Sequence, residues 1–452
     1  MTSVLDKYKK IFFIGIGGIS MSALAMLSKR LNKQVLGSDY VNSDIIENIK
    51  KAGINVFVGH NASNITQDID LVVFSGAVNE HNVERIAAKN LGIEQMERSN
   101  YLALLSNEYG QIISIAGTHG KTTTTCMLSE ILINAGLNPT VHIGGESLVF
   151  GNVRIGGNDI FVTEACEYRN SFATLKSDIG IITNVDADHL DYYKDIADIK
   201  RAFTNFANNC KQVVMWQNKD ISSKVPGAIV VGFKKSNDFF VCDVKRDKFG
   251  RYSYVIKYKT NELCKVKLNV IGSHFVKDSA CAFAVAYLKG ISKDIICNSL
   301  FNYHGVARRN ELLGIVGLKP VIADYAHHPT EIKASVKALK HIYKRILCVF
   351  QPHTYTRTKA LMEEFKCCFD DAAQVAVYKT YPAREELIDG ADAYSLFQNI
   401  DNSSKCYYDD IDQLFDYVCS CTQYDLVLIL GAGDIYNCFK SRIVKSLNKY
   451  VD

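Results

Sequence analysis

The chain has 452 residues, with 52 Lys and Arg against 48 Asp and Glu for a net charge of only +4. No long basic run occurs, so a nucleic-acid partner has no compositional support. With 48% hydrophobic residues, 6 Pro and 29 Gly, the composition excludes collagen-like, Pro-rich and wholly disordered chains, and at roughly 100–200 residues per domain about three domains are expected.

Lys7, Lys9 and Lys10 precede an apolar stretch from Ile11 to Leu27 that superficially looks like a secretion signal. Gly15, Gly17 and Gly18 interrupt it and separate a strand over Ile11–Ile16 from a helix reaching about Arg30. No other apolar run approaches the roughly 18 residues of a membrane span, so no membrane insertion is expected. Further strands follow at Gln34–Leu36, ending in Gly37-Ser38-Asp39, and at Leu71–Phe74, just before Ser75. Apolar runs separated by helical segments point to a parallel sheet covered on both faces. Gly15-x-Gly17-Gly18-x-Ser20 nearly matches the dinucleotide fingerprint, with Ser20 in place of its third Gly, and Asp39 lies where a ribose-binding acid would sit.

A second start comes near residue 108. Ile112–Ala116 reads as a strand, followed by Gly117-Thr118-His119-Gly120-Lys121-Thr122-Thr123 and a helix that stops at Gly136. This is a phosphate loop: glycines let backbone N–H groups approach phosphate oxygens, the lysine neutralises charge, and the Thr122 hydroxyl suits Mg²⁺. Ile115 stands where the usual pattern has its first Gly. Strands at Ile160–Val162, Ile179–Ile182 and Gln212–Trp216 follow. As parallel neighbours of the loop's strand, the first two would bring Glu164 and Asp186-Ala187-Asp188-His189 to the loop's edge of the sheet. Glu164 and His189 would there hold a cation with Thr122. Mg²⁺ prefers oxygen, so the histidine also admits Mn²⁺. Tyr252, Tyr254, Ile256 and Tyr258 alternate with polar residues, as in an antiparallel strand with one wet face.

A third α/β unit begins after about residue 308, with strands near Val321–Ala323, Ile346–Phe350, Gln374–Tyr378 and Leu426–Leu430. The domain boundaries read as 1–107, 108–308 and 309–452. The 14 cysteines include no CxxC, and they read as buried reduced thiols of a cytoplasmic protein.

Taken in order, several motifs resemble those of the Mur ligases along essentially the whole chain. They are Gly15-Ile-Gly-Gly-Ile-Ser20, Gly37-Ser38-Asp39, Gly117 to Thr122, Asp188-His-Leu-Asp191, Gly305-Val-Ala-Arg-Arg309, Asp324-Tyr-Ala-His-His-Pro329, Gln351-Pro-His-Thr-Tyr-Thr-Arg357 and Gly431-Ala-Gly-Asp434. The resemblance implies an α/β protein of three domains: an N-terminal Rossmann-like domain holding a UDP substrate, a central ATPase domain with a mixed sheet, and a C-terminal Rossmann-like domain that closes over both. It implies an ATP-dependent ligase joining L-alanine, or a similar small amino acid, to UDP-N-acetylmuramate through an acyl phosphate. Gly15, Gly17, Gly18, Ser20, Asp39 and Ser75 would hold the UDP substrate. Gly117 through Thr123, with His274, Phe275, Asp278, Arg309 and Asp324, would hold ATP. Lys121, Glu164, His189 and Arg309 would make the catalytic set, and His353 and Arg357 would receive the amino acid.

This chain departs from the family pattern in places. Phe275 and Asp278 replace two asparagines that face adenine, a change expected to leave stacking by Phe275 in place of amide readout. Asn310 replaces an aromatic residue, and Thr354 stands where an Arg is common. Four other readings compete. A NAD-dependent oxidoreductase would use the first glycine loop but leaves the second unexplained, and a P-loop kinase leaves the third domain unexplained. A ligase attaching a peptide to UDP-N-acetylmuramate shares most of the motifs. A binding module built on a decayed ligase would have no need of Lys121, Glu164 and His189 together.

Overall fold

Three sheets organise the chain in the computed structural model, which describes residues 3–189, 192–383 and 385–448. Leu190 and Asp191 of the Asp188–Asp191 motif lie outside the described residues. The first sheet is wholly parallel, with strands in the order Asn55–Val58, Gln34–Asp39, Lys10–Ile14, Leu71–Phe74, Glu94–Glu97. The strand expected over Ile11–Ile16 ends at Ile14, because Gly15 and Ile16 both turn their N–H groups onto the Ser38 carbonyl, at 2.9 and 3.0 Å. The loop leaves at the point where the order reverses, between the neighbours on either side of Lys10–Ile14, which is where open α/β sheets bind ligands.

The second sheet has ten strands. Gln111–Ala116 runs at its centre, parallel to Ser177–Ile182 on one side and to Ile160–Glu164 on the other. Cys210–Trp216 and Ile229–Gly232 continue the parallel part. Thr140–Ser147 and Gly151–Arg154 close the opposite edge as an antiparallel pair. Phe239–Arg246, Arg251–Tyr258 and Asn261–Ile271 form the outer ribbon, and connections this short require antiparallel neighbours. The strands at 140–147, 151–154 and 229–232 are absent from the sequence reading, because short, glycine-bearing segments carry little periodicity. In the third sheet Glu311–Val316 pairs antiparallel with Lys319–Asp324, and Leu426–Leu430, Ile346–Phe350, Gln374–Tyr378 and Lys405–Tyr408 follow in parallel.

By contacts the chain divides into two compact units: Met1–Cys242 with Val255–Cys264 and Lys277–Leu300, and Asp243–Tyr254 with Lys265–Val276 and Phe301–Asp452. The first sheet and the larger part of the second lie in the first unit, where the helix Ile19–Arg30 packs on the strands Thr140–Ser147 and Gly151–Arg154. Asn152 Nδ2 donates to the Ile19 carbonyl at 2.7 Å and to Ser22 Oγ at 2.8 Å. Among the described residues no helix is long and apolar enough to cross a membrane. None of the 14 cysteines is in a disulfide; five are buried, and Cys367 and Cys419 are exposed, against the expectation that all are buried.

Candidate functional site

The parallel register of the central strands carries three loops to one edge of the second sheet: Gly117–Gly120, the segment after Glu164, and Thr183–His189. Two glycines are required here by close approach. At Gly117, with φ +149°, a Cβ would overlap Thr183 Oγ1. At Gly120, with φ +82°, a Cβ would come within 3.0 Å of both carboxylate oxygens of Asp278. Any side chain at either position would push the loop off its neighbours.

The Thr183–Asp186 segment clamps the loop from beside it. Asn184 Oδ1 accepts the His119 N–H at 2.9 Å, and its Nδ2 donates to the His119 carbonyl at 2.7 Å, which also accepts from Thr183 Oγ1 at 2.6 Å. Thr118 Oγ1 accepts the Asp186 N–H at 2.9 Å, and the Thr118 N–H donates to the Asn184 carbonyl at 3.2 Å. The N–H groups of Thr118 and His119, expected to face phosphate, are therefore engaged within the protein. Those of Lys121, Thr122 and Thr123 lie ahead of the first intrahelical bond, Thr124 N–H to the Gly120 carbonyl, at the positive end of the helix Lys121–Asn134.

Lys121 folds back over this turn. Its ammonium donates to the Gly117 carbonyl, to the Thr118 carbonyl at 3.1 Å and to Glu167, whose nearer oxygen is 2.9 Å away. Burial alone would lower the Lys121 pKa, but the Glu167 carboxylate, aided by Cys166 and Glu164, outweighs it and holds the ammonium above its ordinary value. Burial likewise works to raise Glu167, and Lys121 and His189 together hold it below the usual carboxylate range. Glu167 is 2% exposed, and His189 Nε2 lies 3.6 Å from its Oε1. The structure thus gathers Lys121, Glu167 and His189. Glu164 sits at the end of its strand and accepts the Gly144 N–H at 2.8 Å. Sequence reasoning passed over Glu167; its signal was the Glu164-x-x-Glu167 spacing directly after a strand of the phosphate-loop sheet.

Around the first glycine loop, Asp39 Oδ2 accepts the Gly17 N–H at 2.8 Å, so this acid braces the loop. Gly15 has φ +77°, and a Cβ there would sit 3.6 Å from Ser75 Oγ, so Ser75 does border the loop. Gly18 donates back to the Gly15 carbonyl at 3.2 Å. The Ser20 hydroxyl is shared between His142 Nε2 at 2.8 Å and Arg98 Nη1 at 3.2 Å. Burial, with Arg98 nearby, lowers the His142 pKa to about 3, so its imidazole is neutral.

In the second unit, Asp324 ends its strand and accepts the N–H groups of Asn310 and Ala326, both at 2.9 Å, while burial raises its pKa. Arg309 lies 3.7 Å from Glu331 and 5.4 Å from the centre of the Tyr325 ring. Phe275 is only 3% exposed, its ring centre 4.2 Å from that of His274. It is packed as a core side chain, which removes the open face expected for stacking on a base. Asp278, 4% exposed in the first unit, faces Gly120 instead of standing at an open purine site. Arg357 Nη1 lies 3.3 Å from both His353 Nδ1 and the His353 carbonyl, so these two expected amino-acid residues are neighbours. Thr354 is half-buried and has φ +69° and ψ 143°, a strained region for a β-branched residue. Its N–H is fixed to the Tyr381 carbonyl at 2.9 Å.

Burial lowers the pKa of His327 to about 3 and that of His353 to about 4, with Arg357 adding to both and Glu331 and Glu385 opposing. Their folded values lie below the unfolded value near 6.5, so the stability they confer is complete above about pH 6.5 and is lost as pH falls toward those values, by at most about 1.4 kcal/mol per pH unit for each group. The midpoint of urea unfolding is expected to fall from pH 7 to pH 5 in the wild type. The fall should be smaller in His327→Gln, as followed by circular dichroism.

Three family profiles match the chain: "Mur ligase family, catalytic domain" over residues 10–109, "Mur ligase middle domain" over 115–286 and "Mur ligase, glutamate ligase domain" over 308–433. The UDP-N-acetylmuramate–L-alanine ligase of Clostridium tetani is 41% identical over 444 residues, covering 96% of this chain and 97% of its own. That of Caldanaerobacter subterraneus subsp. tengcongensis is 38% identical, covering 96% of each. The crystal structure of the UDP-N-acetylmuramate-alanine ligase from Thermotoga maritima superposes with a TM-score of 0.83 at 26% identity, covering 98% of this chain and 99% of that one. A murein peptide ligase from Psychrobacter arcticus shares the fold, with a TM-score of 0.73 at 23% identity over 97% of this chain and 98% of that one.

Proposed function

The chain belongs to the Mur ligase family, and from that premise we propose that it joins L-alanine to the lactyl carboxylate of UDP-N-acetylmuramate with ATP, in peptidoglycan precursor synthesis. A carboxylate does not condense with an amine in water, because its oxygen is a poor leaving group. The lactyl carboxylate attacks the γ-phosphorus of ATP, ADP departs, and an acyl phosphate forms. The amine of alanine, after losing a proton from its ammonium form, attacks the acyl carbon; phosphate leaves with the bonding pair and the amide remains.

The observation that carries this reading is the Lys121–Glu167 pair at the head of a helix whose first-turn N–H groups face the same edge. Phosphoryl transfer asks mainly for positioning and for positive charge where negative charge gathers. Lys121 supplies that charge on a side chain which Glu167 holds in place. Arg309 and Asp324 serve the nucleotide in the second unit. His353 and Arg357 take the amino acid, the guanidinium gripping its carboxylate with two charge-assisted hydrogen bonds. Gly15, Gly17, Gly18 and Ser75 form the UDP loop, with Asp39 and Ser20 bracing it.

The donors near the phosphate loop fit Mg²⁺. Thr122, Glu164 and Glu167 offer oxygen, and His189 beside Glu167 suits Mn²⁺ as well. A cation held there would take its remaining ligands from phosphate and water. Bound there, the cation would screen phosphate charge during the attack. Glu164→Ala is expected to shift the Mg²⁺ titration of activity to concentrations roughly ten- to a hundredfold higher, the range for losing a group that orients or supports a metal. An unchanged titration would move Glu164 to a structural role, as a brace of the Gly144 N–H.

The test of the function is phosphate release from ATP in the presence of UDP-N-acetylmuramate with L-alanine, with a tripeptide, or with no acceptor. Release that needs alanine, together with an alanyl product seen by mass spectrometry, is the expected result. Release that needs the tripeptide would transfer the assignment to peptide attachment.

A further inference from the structure

Cys264 and Cys297 stand 33 positions apart in sequence, on the strand Asn261–Ile271 and the helix Lys293–Phe301, yet their sulfurs are 3.3 Å from each other. Both belong to the first unit and both are half-buried, so a small oxidant can reach them. The helix is pinned to the strand beside the pair, where Lys293 Nζ donates to the Leu263 carbonyl at 3.0 Å. A disulfide needs sulfurs about 2.0 Å apart, so the 3.3 Å pair stands only about 1.3 Å from bonding distance.

We propose that Cys264 and Cys297 form a reversible oxidation site, closing to a disulfide under a two-electron oxidant such as hydrogen peroxide. One of the two thiolates attacks one peroxide oxygen, the O–O bond breaks, and hydroxide leaves and takes up the thiol's proton as water. The other thiol then attacks the sulfenic sulfur and displaces its hydroxyl, which departs as a second water with that thiol's proton. Two thiols and one peroxide give one disulfide and two waters, and a small dithiol reverses the step.

The closed loop would contain residues 265–296, among them Asp278, which faces Gly120 of the phosphate loop. It ties down the ends of that segment without altering a side chain in it. Oxidation is therefore expected to stabilise the protein by restricting its unfolded chain, while ligation continues.

The reduced full-length protein would be treated with one equivalent of hydrogen peroxide, then alkylated, digested and analysed by mass spectrometry. The expected result is a Cys264–Cys297 cross-linked peptide, two hydrogens lighter than its parts and lost on adding dithiothreitol. Its thermal midpoint should lie several degrees above that of the reduced protein, a rise that is absent in Cys297→Ser. Dimedone should trap a sulfenic acid on the remaining thiol of the pair in Cys264→Ser, in Cys297→Ser or in both. Both thiols alkylated after peroxide, either of them driven to sulfinic acid without a link, or oxidation confined to the exposed Cys367 and Cys419 would each overturn the proposal.

Discussion

Lys121→Ala is expected to lower the ligation rate by roughly 10²–10³-fold, the effect of removing one preorganised charge from a transition state that is stabilised electrostatically. Affinity for UDP-N-acetylmuramate should stay within about twofold, a change below roughly 0.4 kcal/mol. The reason is a division of labour inside the first unit. Lys121 reaches the Gly117 and Thr118 carbonyls and Glu167, while the UDP loop is built from Gly15, Gly17 and Gly18 with Asp39 and Ser75 around them. Isothermal calorimetry with the UDP-sugar, set beside steady-state phosphate release, separates the two effects. Weakened UDP-sugar binding in this variant would sink the assignment.

Glu167→Ala should damage both folding and activity. Glu167 is buried, and its removal leaves the Lys121 ammonium with only carbonyl acceptors. Removing one partner of a buried pair costs about 3–5 kcal/mol. The two remaining carbonyls place this case near the lower bound, a fall in thermal midpoint of roughly 6–12 °C for a unit of this size. Turnover should drop as far as in Lys121→Ala, because an unheld lysine no longer presents its charge at the loop. The double variant Lys121→Met, Glu167→Gln is the informative partner, since neutralising both members restores stability without restoring ligation. If Glu167→Ala keeps the wild-type midpoint, the pair is not what orders the loop.

The pH dependence of this pair has a definite sign. Glu167 is held below the unfolded carboxylate value, so its contribution is present above about pH 4.5 and is lost as pH falls through its folded value. Lys121 is held above its unfolded value, so its contribution is complete below about pH 10.5 and is lost as pH rises through the folded one. Across the neutral range the pair is constant, and the acid loss near pH 5–6 belongs to the buried histidines His142, His327 and His353.

The sequence by itself determined the α/β class, the two glycine loops and the residues that line the carboxyl edges of the sheets. These are local signals: glycines between an apolar run and a helix mark a strand-to-helix turn whatever surrounds it, and Gly117–Thr122 needs no partner to be read. Parallel pairing then follows from alternation, which is why Glu164 and His189 could be assigned to the same sheet edge as Lys121. Only the tertiary structure decided which side chains meet there. Glu167 holds Lys121 because the irregular segment after Glu164 brings it there, and no periodicity encodes that path. Phe275 is packed where an open stacking face was expected, since burial depends on the neighbours that fold against it. Ser20 meets His142, 122 positions away, and Cys264 meets Cys297 across a strand and a helix. Contacts between distant segments arise from the packing of whole elements, so the spacing of residues within one element carries no record of them.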